Sequence, residues 1–261
     1  MRHAGSIAAA QTIPIRGDVA ANVEQHVRLA HVAADEQARV VVFPELSLTG
    51  YELDLANDLG FSETDSRLAS LVEVAASRSL TLIVGAPARI GPQLYIGAFI
   101  LSPDRTVSLY TKHHLGAFSA AASCDGVVPP PEATVFHAGN RNPLIRFGGH
   151  TAAVAVCADT GRPSHPQAAA DRGAKVYLAS MFVIPSELGR DTANLRTYAV
   201  RHSMAVTFAN YGGPSGGLAS GGRSAIWGPG GDLLAQLEPN GAGVAIAVDD
   251  GDGWRGQAVM L

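Results

Sequence analysis

Three residues of types that are costly to bury unpaired, Glu45, Lys112 and Cys157, each stand just past a short apolar run. Val40-Val41-Val42-Phe43 is continuous and β-branched, and Pro44 stops it, so Glu45 falls at the lip of a buried strand. Lys112 follows the β-rich run Thr106 to Tyr110, and Cys157 closes the apolar run Thr151 to Val156. An acid, an amine and a thiol at one sheet edge suit cleavage of an amide. The thiol needs a base, the tetrahedral intermediate needs oxyanion donors, and the departing nitrogen needs a proton. Glu45 can move the proton. Lys112 and the backbone N–H of Ala158 can hold the oxyanion, and Lys112 can orient Glu45 through a charge-assisted hydrogen bond.

The elements that must position these groups alternate along the chain. A strand over Ser6 to Ala10 precedes a helix with Val23, Val27, Ala30 and Ala34 at helical spacing behind the cap Asp18. A helix with Leu68, Leu71, Val72 and Ala75 on one face leads to a strand at Leu80 to Val84. Tyr95 to Leu101 and Thr106 to Tyr110 form a hairpin around the turn Ser102-Pro103-Asp104-Arg105. Beyond Cys157, a helix at Pro166 to Arg172, a strand at Val176 to Ala179, a helix at Leu195 to Met204 and a strand at Ala205 to Ala209 are expected. Ser224 to Trp227, Leu233 to Leu237 and Val244 to Val248 read as an antiparallel meander. The pattern is α/β, in one domain over residues 1–261.

Composition narrows the function. Of 261 residues, 47% are hydrophobic and 16% charged, which fits a chain with a large core and not a disordered one. A net charge of −4 offers no basic stripe for a nucleic-acid backbone or an anionic membrane, so a small organic substrate is expected. No leader-like or bilayer-spanning run is evident, and a cytoplasmic location is expected. The two cysteines, Cys124 and Cys157, have no C-x-x-C or zinc spacing, and the tandem His113-His114 is not an i, i+4 ligand pair. No metal and no cofactor are expected. Cys124 matches no catalytic motif. Gly212-Gly213-Pro214-Ser215-Gly216-Gly217 lacks the Gly-Lys-Ser/Thr ending of a phosphate loop and reads as a plain loop.

Three segments together resemble the signatures of the carbon-nitrogen hydrolase (nitrilase) superfamily. Val41-Val42-Phe43-Pro44-Glu45-Leu46-Ser47-Leu48-Thr49-Gly50-Tyr51 is similar to the segment of the general base. Tyr110-Thr111-Lys112-His113-His114-Leu115 is similar to the lysine segment. Ala155-Val156-Cys157-Ala158-Asp159, followed by Gly173-Ala174, is similar to the nucleophile segment. Ala10-Gln11, Ala209-Asn210 and Gly222-Arg223-Ser224 extend the likeness over nearly the whole chain. The resemblance implies a four-layer α-β-β-α sandwich, homodimers or larger homo-oligomers, and an amidase acting through a cysteine thioester. It also implies a second active-site glutamate, for which Glu132, in Glu132 to Gly139, is the candidate.

The chain departs from that pattern in two places. Ser164-His165 stands where many members carry Pro-Glu and an apolar residue, and Ala158-Asp159 follows the cysteine where nitrile-hydrolysing members usually have Trp-Glu. The second departure favours amides or carbamoyl compounds over nitriles. His165 as the base of a Cys-His hydrolase is disfavoured, because it follows Cys157 too closely to approach from a separate strand. Asp159 is expected to fix the elbow by hydrogen bonds. Met181 and Phe182 are expected at the substrate, with Arg162 and Asn210 as further lining or scaffold residues. The competing readings are a binding homologue with lost or weak chemistry, and an acyltransferase using the same Glu-Lys-Cys site.

Overall fold

A computed structural model describes residues 5–123, 126–251 and 253–261; Cys124 therefore lies outside the described residues. Two mixed sheets stack face to face. The seven-stranded sheet contains β1 (Ile7–Gln11), β2 (Val40–Val42), β3 (Thr81–Ile90), β4 (Gln93–Leu101), β5 (Val107–Thr111), β12 (Gly243–Asp249) and β13 (Trp254–Met260), in the order β13-β12-β1-β2-β3-β4-β5. The six-stranded sheet contains β6 (Leu144–Phe147), β7 (His150–Val156), β8 (Val176–Ser180), β9 (Ala205–Ala209), β10 (Ala225–Trp227) and β11 (Leu233–Gln236), in the order β11-β10-β9-β8-β7-β6. The central strands β1-β2-β3 and β7-β8-β9 are parallel, so both sheets turn carboxyl ends toward a common edge. Antiparallel pairing of β3 with β4 and of β4 with β5 brings the end of β5 to that edge as well.

Three apolar layers follow from the alternation of side chains along these strands. Between the sheets lie Ile7, Val40, Val42, Ile83, Val154, Val156, Leu178 and Ile226. The outer face of the first sheet, with Ala8, Val41, Leu82 and Val84, packs on α1 (Val19–Asp35) and α2 (Ala69–Arg78). That of the second, with Ala153, Ala155, Tyr177 and Val206, packs toward α3 (Ser164–Asp171) and α4 (Leu188–His202). The result is the α-β-β-α sandwich expected above. Among the described residues no helix is long and apolar enough to cross a membrane.

Asp18 caps α1 as expected, accepting from Ala21 N–H at 3.0 Å. The buried face of α1 is nevertheless more polar than hydrophobic spacing suggests, because it includes Asn22 and His26 beside Val23, Leu29, Ala30 and Ala33. His26 stacks on Phe43 at 4.2 Å and its Nε2 meets Ser47 Oγ at 2.8 Å. Burial pushes its imidazole down to about 4, so it stays neutral. Asn22 donates to the Leu48 carbonyl at 3.2 Å. These polar groups anchor the loop that carries Glu45.

Candidate active site

The acid, the amine and the thiol converge. Glu45 lies three residues past the end of β2 on a loop that begins with Phe43-Pro44. The loop passes so close to β3 that a Cβ on Gly85 would stand 2.4 Å from Leu46 N and 2.5 Å from the Pro44 carbonyl, which leaves room only for glycine. The two sheets are tied together here. Ser180 Oγ donates to the Phe43 carbonyl at 2.8 Å, Glu45 N–H donates to the Met181 carbonyl at 3.3 Å, and the Tyr211 hydroxyl donates to the Glu45 carbonyl.

Lys112 is the first residue after β5, and its side chain is fully buried. Its Nζ donates to Glu45 Oε1 at 2.6 Å and to Glu132 Oε1 at 2.7 Å. Glu132, reached from the sequence only through resemblance, is therefore part of the cluster. It also accepts from the Tyr51 hydroxyl at 2.7 Å and from Gly116 N–H at 2.7 Å. An ammonium buried in this way is tolerable only with such partners. Burial alone would lower the lysine pKa, but the charges of Glu45 and Glu132 outweigh it and hold Lys112 protonated.

Cys157 directly follows β7, in a backbone conformation with φ of 42°. A non-glycine residue held there is strained, and the sharp change of direction aims the thiol out of the strand and into a cleft. Sγ donates weakly to the Phe182 carbonyl at 3.6 Å. Burial and the neighbouring Glu45 carboxylate push the thiol pKa well up, so the group rests as a thiol and would need a base to become a nucleophile. Glu45 is suited to be that base. Burial, joined by the Glu132 charge, raises its pKa to about 7 against the opposing pull of Lys112. Its Oε2 has no hydrogen-bond partner among the described residues. Ala158 lines the cleft beside Cys157. Its N–H is among the first donors of the helical turn Cys157–Gly161, which have no acceptor within the turn.

The cleft has a volume of about 270 Å³ and is lined by Tyr51, Phe118, Glu132, Cys157, Ala158 and Phe182, among others. Phe182 thus stands where the sequence suggested, but Met181 does not. Successive residues leaving β8 point to opposite faces, so Phe182 enters the layer between the sheets and Met181 enters the layer beneath the helices, against Thr160. Met181 contributes its backbone carbonyl to Glu45 instead. Arg162 is exposed and outside the cleft lining. Asn210 is scaffold, clamping Val183 N–H at 2.9 Å and the Val183 and Gly222 carbonyls at 3.1 Å.

Behind Cys157, Asp159 is the hub of a second polar cluster. Its Oδ1 accepts from the N–H groups of His113 (3.2 Å) and His114 (2.8 Å) and meets His114 Nδ1 at 2.9 Å. Its Oδ2 accepts from the Tyr110 hydroxyl at 2.7 Å and Val156 N–H at 3.2 Å. The lysine and cysteine segments are thereby fixed to each other, as expected of Asp159. His165 bridges the Tyr110 and Tyr177 hydroxyls at 2.9 and 2.8 Å. Burial pushes it down to about 4, so it is a neutral structural histidine. Among the described residues no group of three or more His, Cys, Asp or Glu is placed to hold a metal ion.

The family model for carbon-nitrogen hydrolases matches residues 6–255. This chain belongs to the carbon-nitrogen hydrolase family. A cysteine-to-serine mutant of the Nesterenkonia AN1 amidase, from the nitrilase superfamily, superposes with a TM-score of 0.81 at 25% identity, covering 95% of this chain and 92% of that one. The cysteine-to-alanine mutant of the Nesterenkonia sp. AN1 amidase in complex with butyramide gives 0.80 at 25% identity, with the same coverage of 95% and 92%. The glutamine-dependent NAD(+) synthetase of Mycobacterium tuberculosis is 28% identical over 263 residues, 90% of this chain but 37% of that protein. The synthetase of Thermotoga maritima is 25% identical over 231 residues, 86% of this chain and 38% of that protein. This hydrolase-family chain thus spans well under half the length of the curated relatives it matches.

Several residues of the cleft wall carry no sequence signal that marks them for the site, Phe118 among them. Tyr51 ends the first signature segment, and its hydroxyl fixes Glu132 at 2.7 Å, a contact that the sequence does not announce. Glu187, Arg190 and Asp191 line the cleft from the beginning of α4. Their signal is the ionic run Glu187 to Asp191, which lacks the apolar spacing that marks a helix although α4 begins at Leu188.

Proposed function

We propose that the protein is an amidase that releases ammonia or an amine from a small linear amide or carbamoyl compound through a thioester on Cys157. The observation that carries this reading is the buried Lys112 ammonium held at 2.6 Å from Glu45 and 2.7 Å from Glu132, beside the strained Cys157. In the first half-reaction Sγ bonds to the carbonyl carbon while its proton passes to Glu45. Lys112 and Ala158 N–H stabilise the oxyanion. The C–N bond then breaks, and Glu45 returns the proton to the departing nitrogen. In the second half, water gives a proton to Glu45 and its oxygen attacks the thioester. The carboxylic acid leaves and Sγ regains its proton.

Amides are favoured over nitriles because the solved relatives include amidases, one of them in complex with butyramide. The curated relatives favour a second reading, a glutamine amide as the substrate and a synthetase as the consumer of its ammonia. A panel of short aliphatic amides, ω-amides of dicarboxylates, N-carbamoyl amino acids and nitriles, scored for ammonia or amine release, tests the reading. Release that disappears in Cys157→Ala is expected. Absence of release from every compound would favour a binding homologue, and product transfer to an added amine or hydroxyl acceptor would favour an acyltransferase.

A further inference from the structure

The glycine-rich loop 212–217 has no part in the chemistry above, yet it is anchored at both ends beside the site. Tyr211, immediately before it, donates its hydroxyl to the Glu45 carbonyl. Gly212 N–H donates to the Thr12 carbonyl at 2.8 Å, and the Gly212 carbonyl accepts from Gly241 N–H at 3.0 Å. The loop therefore starts against the end of β1. Ser215 and Leu218 then exchange N–H to carbonyl hydrogen bonds at 3.0 and 2.9 Å, and Leu218 is buried between the sheets. Bonded in this way, the loop gives Ser215 a fixed place.

What Ser215 meets is the backbone of the segment that carries Glu45. Tyr51 N–H donates to Ser215 Oγ at 2.8 Å, and Ser215 Oγ in turn donates to Glu52 Oε1 at 3.3 Å. The same Glu52 oxygen accepts from Gly216 N–H at 2.9 Å, and the other lies 3.2 Å from Arg16 Nε. The Glu52 side chain is only 10% exposed, and these donors to its carboxylate make a clamp of charge-assisted hydrogen bonds. The approach is tight. At Gly216, with φ of 58°, a Cβ would stand 2.6 Å from the Tyr51 carbonyl, so only glycine lets the two backbones come so close. From this clamped backbone the Tyr51 side chain enters the cleft, lies against Phe182 and Phe118, and ends on Glu132 Oε1 at 2.7 Å. That oxygen is the one that holds Lys112. A tilt of Tyr51 at its backbone is carried along the side chain to the carboxylate, where sub-ångström placement matters.

We propose that Ser215 and Glu52 are positioning residues for the amide chemistry, which hold the Tyr51 backbone so that its hydroxyl keeps Glu132 on Lys112. The inference rests on the amidase reading and gives the glycine-rich loop its role, as the support of the second glutamate. Neither residue lines the cleft with Cys157, so neither meets the substrate.

The test reads the pH profile, which a merely structural role of the loop would leave in place. Glu45 is faced by the Lys112 ammonium, the Cys157 thiol and the Glu132 carboxylate, with the Tyr51 and Tyr211 hydroxyls nearby. The Glu132 charge helps to raise the Glu45 carboxyl to about 7, so a Glu132 that slips from its place lowers it. In Ser215→Ala, kcat/KM for a short amide is expected to fall about tenfold, and its acid limb to move down by about half a pH unit. Tyr51→Phe should give the same downward move, and the double variant no more than either alone. Glu52→Ala should reproduce both effects, and Glu52→Gln, which keeps the acceptor, should recover most of both. The limb is also read without turnover, as the rate at which iodoacetamide alkylates Cys157, mapped by peptide mass spectrometry. In that step Sγ bonds to the methylene carbon, iodide leaves and the thiol proton passes to Glu45. An unmoved limb in both assays in folded Ser215→Ala, or shifts that add in the double variant, would overturn the clamp. No turnover of any amide by the parent, with the alkylation limb moving as expected, would overturn the amidase reading and leave the clamp standing.

Discussion

Two buried polar clusters sit back to back at the edge where the sheets meet, and they differ in how completely their atoms are partnered. Around Asp159 both carboxylate oxygens are engaged, Oδ1 by two backbone N–H groups and a histidine and Oδ2 by a tyrosine and a backbone N–H. His165 has a partner on each ring nitrogen, and the exception is His113, whose Nε2 has none among the described residues. Around Lys112 the ammonium and Glu132 are satisfied, but Glu45 keeps one oxygen free and Cys157 has only a long contact to a carbonyl. Saturated hydrogen bonding makes rigid scaffold. Chemistry needs atoms that are buried, aligned and still open, and these are the atoms on the Cys157 side.

Substitutions on the two sides should therefore fail in different ways. Cys157→Ala should remove turnover altogether while shifting the unfolding transition in urea only slightly, since the change removes a single sulfur atom from a partly buried side chain. Lys112→Ala should remove turnover and also lower stability by about 3–5 kcal/mol in urea titration, because two buried carboxylates lose their shared cation.

The pH dependence separates base from scaffold. With Glu45 at about 7, kcat/KM should fall about tenfold per unit as pH drops below 7, because the protonated acid cannot take the thiol proton. Its contribution to stability has the opposite direction. The folded state holds the proton more tightly than the unfolded one, so stability is highest below 4.5 and declines as pH rises from 4.5 through about 7. Glu45→Gln should flatten that decline, measured by denaturant titration across the window.

On the scaffold side, Asp159→Asn should reduce turnover about tenfold and stability by about 2 kcal/mol, since an amide cannot accept all the donors the carboxylate holds. His165→Phe should have the smallest effect, about 1–2 kcal/mol on stability with turnover within about threefold of the parent. A larger loss of turnover than of stability in His165→Phe would break the distinction between the clusters.

Much of this site was legible in the residues because its candidate catalytic groups stand at strand ends. Glu45, Lys112 and Cys157 each terminate or follow a run whose apolar character alone predicts a buried strand. Glu132 gave no such signal, since it stands in a single helical turn after Pro131 and reaches Lys112 only through the folding of the preceding stretch. Glu187, Arg190 and Asp191 were missed because α4 begins at Leu188 in a polar first turn, whereas apolar spacing becomes visible only from Leu195. Two edge strands were also invisible. β13 is largely exposed and polar, and β6 is four residues long with a half-buried pattern, so neither shows the continuous apolar run of the central strands. Met181 and Phe182 show the complementary limit: they are adjacent at a strand end, but alternation sends them to different layers.

The central claim is that Cys157 becomes acylated during turnover. Acid-quenched protein taken from a reaction with butanamide or glutamine should carry an added mass equal to the acyl group, mapped by peptide mass spectrometry to Cys157 and absent from Cys157→Ala. Steady release of ammonia with no acyl group on Cys157 at any quench time, or with the adduct on another residue, would contradict the account.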